Sequence, residues 1–152
     1  MALSVDYKAC TGCGTCELVC ALRHFGVHNP RKSAIRVMLP TSDRPWNVPV
    51  VCRQCARPKC AEECPTNAIY KADDGLVLVR EADCIGCRAC AEACPFGAIF
   101  FHPEIPTPIK CDLCGGDPEC VKWCPTGALK LRSVLSLGDE ARQKTARAMA
   151  RG

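Results

Sequence analysis

Aromatic side chains are scarce in this 152-residue chain: four phenylalanines, two tyrosines and two tryptophans make up 5% of it, and histidine occurs only three times. So few large rings leave a polypeptide core hard to fill. The 48% hydrophobic content counts sixteen cysteines, and without them it falls to roughly 37%, thin for a domain of this size. No apolar run approaches the length that spans a bilayer, which predicts a soluble or peripheral chain with no transmembrane segment. Lysine and arginine are scattered rather than gathered into an aromatic-studded block, so nucleic acid is a poor partner. Residues Met1 to Tyr7 lack a basic region followed by an apolar stretch, so no secretory signal is expected and the cytoplasm is favoured. Also missing are a nucleotide-binding glycine loop before a helix, a Cys-x3-Cys-x2-Cys motif and a Ser/His/Asp combination, which argues against a catalytic site within the chain.

What is abundant is cysteine, in four groups of four: Cys10, Cys13, Cys16, Cys20; Cys52, Cys55, Cys60, Cys64; Cys84, Cys87, Cys90, Cys94; and Cys111, Cys114, Cys120, Cys124. Every group opens Cys-x2-Cys and closes Cys-x3-Cys, and Pro65, Pro95 and Pro125 follow three of the closing cysteines. This is the spacing of bacterial-type [4Fe-4S] ligation, and four groups predict four clusters. A loop such as Cys84-Ile85-Gly86-Cys87-Arg88-Ala89-Cys90 wraps three thiolates round one face of a cubane, and the fourth iron takes a thiolate from elsewhere. In two-cluster ferredoxins that thiolate is the closing cysteine of the other group. Gly12, Gly14, Gly86, Gly115 and Gly116 suit loops that approach inorganic sulfide closely.

Other uses of cysteine fit less well. Zinc ribbons place two Cys-x2-Cys pairs a dozen or more residues apart and need no third cysteine nearby. A disulfide framework belongs to an oxidising compartment, for which the N-terminus offers no signal. With sixteen positions filled by cysteine, His24 and His102 read as surface or supporting residues. The formal charge of +4 treats cysteine as neutral. Each oxidised cubane with its thiolates carries about −2, so four bring the loaded chain to near −4 and make the basicity a counter-charge. With so thin a core, the clusters are expected to act as core and the apoprotein to be largely unfolded.

An internal repeat follows the closing cysteines: Cys64-Pro65-Thr66-Asn67-Ala68-Ile69, Cys94-Pro95-Phe96-Gly97-Ala98-Ile99 and Cys124-Pro125-Thr126-Gly127-Ala128-Leu129. Each alanine and aliphatic residue can pack beside a cluster as a strand begins, which marks ferredoxin-like units. Two β-rich runs flank Asp74-Gly75, a hairpin signal. Short helices are expected between the third and fourth cysteines, over 56–63 and 89–93, and Arg23 to Gly26 should end the first one. Pro40, Pro45 and Pro49 predict an extended segment, with Trp46 as an apolar lid. The fold class is α+β, with tandem bacterial ferredoxin-like units of short antiparallel hairpins and short helices.

The order of spacings, x2-x2-x3, x2-x4-x3, x2-x2-x3 and x2-x5-x3, resembles the four-cluster iron–sulfur subunits of the dimethyl sulfoxide reductase type, found with molybdenum and tungsten oxidoreductases. Val48-Pro49-Val50-Val51-Cys52-Arg53-Gln54-Cys55-Ala56-Arg57-Pro58-Lys59-Cys60 is similar to that family's extended lead-in and Pro-x-Cys element. The start, from Asp6 to Cys20, looks most like the small subunit accompanying bacterial tungsten aldehyde oxidoreductases. Ala21 after Cys20, where the family has proline, and the missing longer insertions and C-terminal membrane contact are departures.

The resemblance implies nested pairing of groups. The ligand sets would be Cys10, Cys13, Cys16 with Cys124 (cluster A); Cys111, Cys114, Cys120 with Cys20 (cluster B); Cys52, Cys55, Cys60 with Cys94 (cluster C); and Cys84, Cys87, Cys90 with Cys64 (cluster D). An outer unit would comprise 1–48 with 109–131, and an inner unit 49–108. The implied function is electron transfer between a tungsten- or molybdenum-pterin catalytic subunit and a flavin or NAD-reducing subunit or ferredoxin. A free-standing soluble polyferredoxin is the alternative. A redox sensor or assembly scaffold would need an open coordination site, for which a full set of cysteines leaves no room. The segment 132–152 carries no cysteine, has helix formers with acidic residues before basic ones, and reads as a helical arm for docking or self-association. Its slight apolar stripe comprises Leu137, Ala141, Thr145, Ala148 and Met149.

Overall fold

The computed structural model describes residues 1–39, 47–133, 142–143, 145–147 and 149–150. In chain order its elements are β1 (Ala2–Val5), α1 (Thr15–Phe25), β2 (Ile35–Met38), β3 (Val48–Val51), α2 (Lys59–Glu62), β4 (Ile69–Lys71), β5 (Val77–Val79), α3 (Ala89–Ala93), β6 (Phe100–His102), β7 (Ile105–Ile109), α4 (Glu119–Lys122) and β8 (Leu129–Arg132). Apart from α1, no helix among these reaches two turns, so the helices owe their order to what they pack against rather than to propensity.

The cysteine spacing and the punctuating residues set these boundaries. In α1, Cys16 and Cys20 lie one turn apart on the buried side, and Gly26, at φ 66°, closes the helix by donating its N–H to the Leu22 carbonyl at 3.0 Å. The expected helix over 56–63 is shortened to Lys59–Glu62 because Pro58 occupies the N-cap. A residue preceding proline is disfavoured in helical conformation, which keeps Arg57 and the residues before it out of the helix. Pro118 starts α4 in the same way, while α3 occupies the expected Ala89–Ala93.

The strands form four antiparallel pairs among the described residues: β1 with β8, β2 with β3, β4 with β5, and β6 with β7. The β1–β8 pair sets Leu3 opposite Leu131 and Val5 opposite Leu129, tying the start of the chain to the strand after the fourth cysteine group. Asp74-Gly75 forms the expected turn between β4 and β5, with Gly75 at φ 82° and the Asp74 carboxylate accepting the Leu76 N–H at 2.9 Å. The strands flanking the middle segment pair outwards, β3 with β2 and β6 with β7.

Two apolar clusters lie between these pairs. One gathers Leu3, Ile35, Val51, Leu113 and Leu129 around Cys16, Cys20 and Cys120; the other gathers Ile69, Val77 and Ile99 around Cys90. The residues of the Cys-Pro-x-x-Ala-aliphatic repeat are all buried at their last two positions, from Ala68 and Ala98 at 1% exposure to Ile99 at 6%. The few aromatics serve mainly at the edges: arginines lie over Tyr70, Phe96, Phe100 and Phe101, with Arg80 4.7 Å from the Tyr70 ring centre. The expected lid residue Trp46 lies outside the described residues. In the C-terminal segment residues 142–143, 145–147 and 149 are helical and exposed. Leu137, Ala141 and Ala148 of its proposed stripe are likewise outside the described set.

Candidate metal centres

Helix packing brings the cysteine groups together two by two. α1 packs on α4 and α2 on α3, so the first group meets the fourth and the second meets the third. A small cavity is lined by Cys10, Cys13, Cys16 and Cys124, with Val37, Pro125 and Leu129 beside them. A second is lined by Cys52, Cys55, Cys60 and Cys94, with Val77, Pro95 and Ile99 beside them. Each cavity thus takes three thiols from one loop and the closing thiol of another.

Seven of the eight remaining cysteines neighbour one another. Cys120, 7% exposed, is pushed up to about 12 by burial and by the neighbouring thiols of Cys20, Cys114 and Cys16. Burial raises Cys111 strongly, and Cys52, Cys120 and Cys20 add to it. Cys90 is pushed up to about 11 by burial and then by Cys60, Cys87 and Cys64. Cys84 opens the third loop directly after a 3₁₀ turn at Glu81–Asp83.

Thiols so raised by burial and by one another are poor thiolates unless a cation joins them, whereas a coordinating metal deprotonates them outright. The two cavities each hold four sulfurs with no histidine or carboxylate lining them, soft donors suited to iron–sulfur clusters, while Cys114 has His24 and Asp112 beside it. The residues present therefore fit [4Fe-4S] groups.

The loops supply the rest of the environment. Gly12, at φ 74°, sits so close to Asn47 that a Cβ there would lie 2.6 Å from its Oδ1. Gly86, at φ 69°, would bring a Cβ to 3.2 Å from the Pro106 carbonyl. Backbone N–H groups approach sulfur at 3.4 Å in three places: Ala34 to Cys20, Gln54 to Cys52 and Ala98 to Cys94. At Cys64 and Cys124 burial is the largest single influence and raises the thiol. Surrounding backbone N–H groups and the Thr66 or Thr126 hydroxyl, 3.8 Å away, together outweigh it and lower both below the ordinary value. Hydrogen bonds to a charged form favour it, so the closing cysteines after which Pro-Thr follows ionise more readily than an ordinary thiol.

Several of these partners are brought together only by the fold. His24, read as a surface or supporting residue, places its Nε2 3.6 Å from the Cys114 sulfur and 3.5 Å from the Asp112 carboxylate. Gln54 and Lys110 reach across between loops with no signal in their local sequence. The threonines could have been found, since Cys-Pro-Thr recurs in two of the three repeats.

Residues 46–134 match the family described as 4Fe-4S dicluster domain, a span that holds the second, third and fourth cysteine groups. Among curated relatives, the chain is 43% identical over 83 residues to the aliphatic sulfonate oxidoreductase, polyferredoxin-like subunit, of Pyrococcus furiosus, covering 53% of this chain and 46% of the relative. It is 39% identical over 86 residues to a subunit of tetrathionate reductase from Archaeoglobus fulgidus, covering 56% and 41%. It is 35% identical over 98 residues to a component of the anaerobic dimethyl sulfoxide reductase of Haemophilus influenzae, covering 55% and 46%. The matched part thus spans less than half the length of these relatives. Among solved structures, the active site complex BamBC of benzoyl coenzyme A reductase with zinc aligns at 26% identity and a TM-score of 0.48, covering 95% of this chain and 89% of that one. No helix among the described residues is long and apolar enough to cross a membrane. With its cysteine groups meeting in pairs and its residues 46–134 matched, the protein belongs to the 4Fe-4S dicluster domain family.

Proposed function

We propose that this chain is an electron-relay subunit holding four [4Fe-4S] clusters in series, with each closing cysteine serving the partner loop. The ligand sets are Cys10, Cys13, Cys16 with Cys124; Cys111, Cys114, Cys120 with Cys20; Cys52, Cys55, Cys60 with Cys94; and Cys84, Cys87, Cys90 with Cys64. When bound, such clusters supply one-electron oxidation and reduction.

The order of the thiols carries the reading. Cys16 neighbours Cys120, Cys111 neighbours Cys52, and Cys60 neighbours Cys90. These electrostatic neighbours link the first proposed set to the second, the second to the third and the third to the fourth. Cys13 and Cys87 are the two exposed cysteines, one in each terminal set, while the cysteines of the two inner sets are buried or half-buried. The relay thus opens to outside redox partners at its two ends and shields the middle.

The partners proposed are a tungsten- or molybdenum-pterin oxidoreductase subunit, of the aldehyde oxidoreductase kind, at one end and a flavin/NAD-reducing subunit or ferredoxin at the other, in the cytoplasm. The named relatives, subunits of sulfonate, tetrathionate and dimethyl sulfoxide enzymes, support a role within an oxidoreductase complex. The segment 132–152 is proposed as the docking or self-association arm. Anaerobic pull-down from native cells, followed by tungsten and molybdenum analysis, tests the partner. Copurification of a pterin subunit is expected; recovery of the iron-loaded chain alone would favour the free-standing polyferredoxin.

A further inference from the structure

Lys110 stands at the junction of the two middle cysteine sets. It follows β7 and precedes Cys111, and its half-buried side chain reaches the cavity lined by Cys52, Cys55, Cys60 and Cys94. Its ammonium donates to two carbonyls, those of Val77 and, at 3.2 Å, Cys111. Lys32, Lys59, Arg80 and Lys122 each hold a carboxylate, but none of the ion pairs among the described residues involves Lys110. Two neutral oxygens fix its position without cancelling its charge.

The surroundings make that charge count. Gln54, 4% exposed, donates from Nε2 to the same Cys111 carbonyl at 2.8 Å and accepts the Val77 N–H at 2.7 Å, so Lys110 and Gln54 share a closed polar bridge between the second and fourth cysteine loops. Val77 is buried at 1% exposure, while Lys110 and Cys111 also line, with Ile109 and Asp112, a cavity that is open to solvent on one side. A fixed charge in such a setting acts more strongly than one on the surface.

We propose that Lys110 is a positioning residue that sets the redox balance at the crossing between the two units, its ammonium favouring the extra negative charge on the cluster held by Cys52, Cys55, Cys60 and Cys94 when that cluster is reduced. The event is the gain of one electron there and its loss from the adjacent cluster, with no bond made or broken. Net charge near a cluster is one of the protein's means of adjusting its potential. The inference rests on the four-cluster reading above.

The test is an anaerobic, dithionite-poised redox titration of the iron-loaded chain, followed by EPR, for wild type, Lys110→Met, Lys110→Gln and Lys110→Arg. Lys110→Met and Lys110→Gln should lower one midpoint potential by an amount that changes the reduced-to-oxidised ratio about tenfold, or about 59 mV for a one-electron couple. Lys110→Arg should keep the wild-type midpoint. A Lys110→Gln variant that can still bond the two carbonyls yet behaves like wild type would overturn the proposal, because hydrogen bonding without charge would then suffice. Iron loss from both uncharged variants with Lys110→Arg fully loaded would also count against it, by making the side chain a structural strut. Failure of the underlying reading is separable: wild type would then contain about eight irons rather than about sixteen, whereas unmoved midpoints at full iron content would sink the inference alone.

Discussion

Gln54 donates its side-chain N–H to the carbonyl of Cys111 at 2.8 Å, across 57 positions of sequence. The same amide accepts from Val77 at 2.7 Å, so a single buried side chain fastens the second cysteine loop to the β4–β5 hairpin and to the fourth loop. Its backbone lies at φ 48°, a left-handed conformation that a non-glycine residue adopts at a cost. These two hydrogen bonds offset that strain.

Gln54→Ala should therefore be costly. It leaves the buried Val77 N–H without its partner, at about 1 to 3 kcal/mol, and the Cys111 carbonyl with Lys110 alone. Anaerobic denaturant titration of the iron-loaded protein, followed by visible absorbance, should show a lower midpoint than wild type. An unchanged midpoint would show that the bridge holds nothing together.

Crossed ligation predicts which mutants look alike. Cys124→Ser should disturb the cluster built on Cys10, Cys13 and Cys16, because Cys124 shares their cavity, and its reduced EPR spectrum should match that of Cys10→Ser. A match to Cys111→Ser instead would mean that each group closes on itself.

Removing the metal should remove the fold. The strands are three to five residues long, and cysteines belong to both apolar clusters, so little else holds the pairs together. Chelation of iron under anaerobic, reducing conditions should abolish most of the far-UV circular dichroism, as in small metal-dependent domains. Retention of the native spectrum would show that the polypeptide core is sufficient.

Deleting residues 134–152 should leave iron content and reduced-cluster spectra intact while reducing complex size on gel filtration. The segment carries no cysteine, and its described helical residues are exposed. An assembly of unchanged size would contradict the role of a docking arm.

Much of this architecture was legible because metal ligation constrains spacing so tightly. The Cys-Pro-x-x-Ala-aliphatic repeat located Ile69, Ile99 and Leu129 in the core, and Asp74-Gly75 located its hairpin, since each depends on residues adjacent in sequence. The start of α2 was misplaced because eight residues with helix-forming ends concealed Pro58, whose effect on Arg57 is local and decisive. Gln54 and Lys110 were illegible for another reason. Between cysteines any polar residue reads as loop, and only the meeting of two loops far apart in sequence gives these side chains something to bridge. His24 near Cys114 was obscured in the same way, by a separation of 90 positions.

The central claim is that sixteen cysteines hold four clusters in one electron path. Anaerobic quantification of iron and acid-labile sulfide, with reductive titration of the same sample, tests it most directly. About sixteen irons, about sixteen sulfides and about four one-electron equivalents per chain are predicted. A reproducible value near eight irons in fully reconstituted protein, with about two electrons taken up, would contradict it.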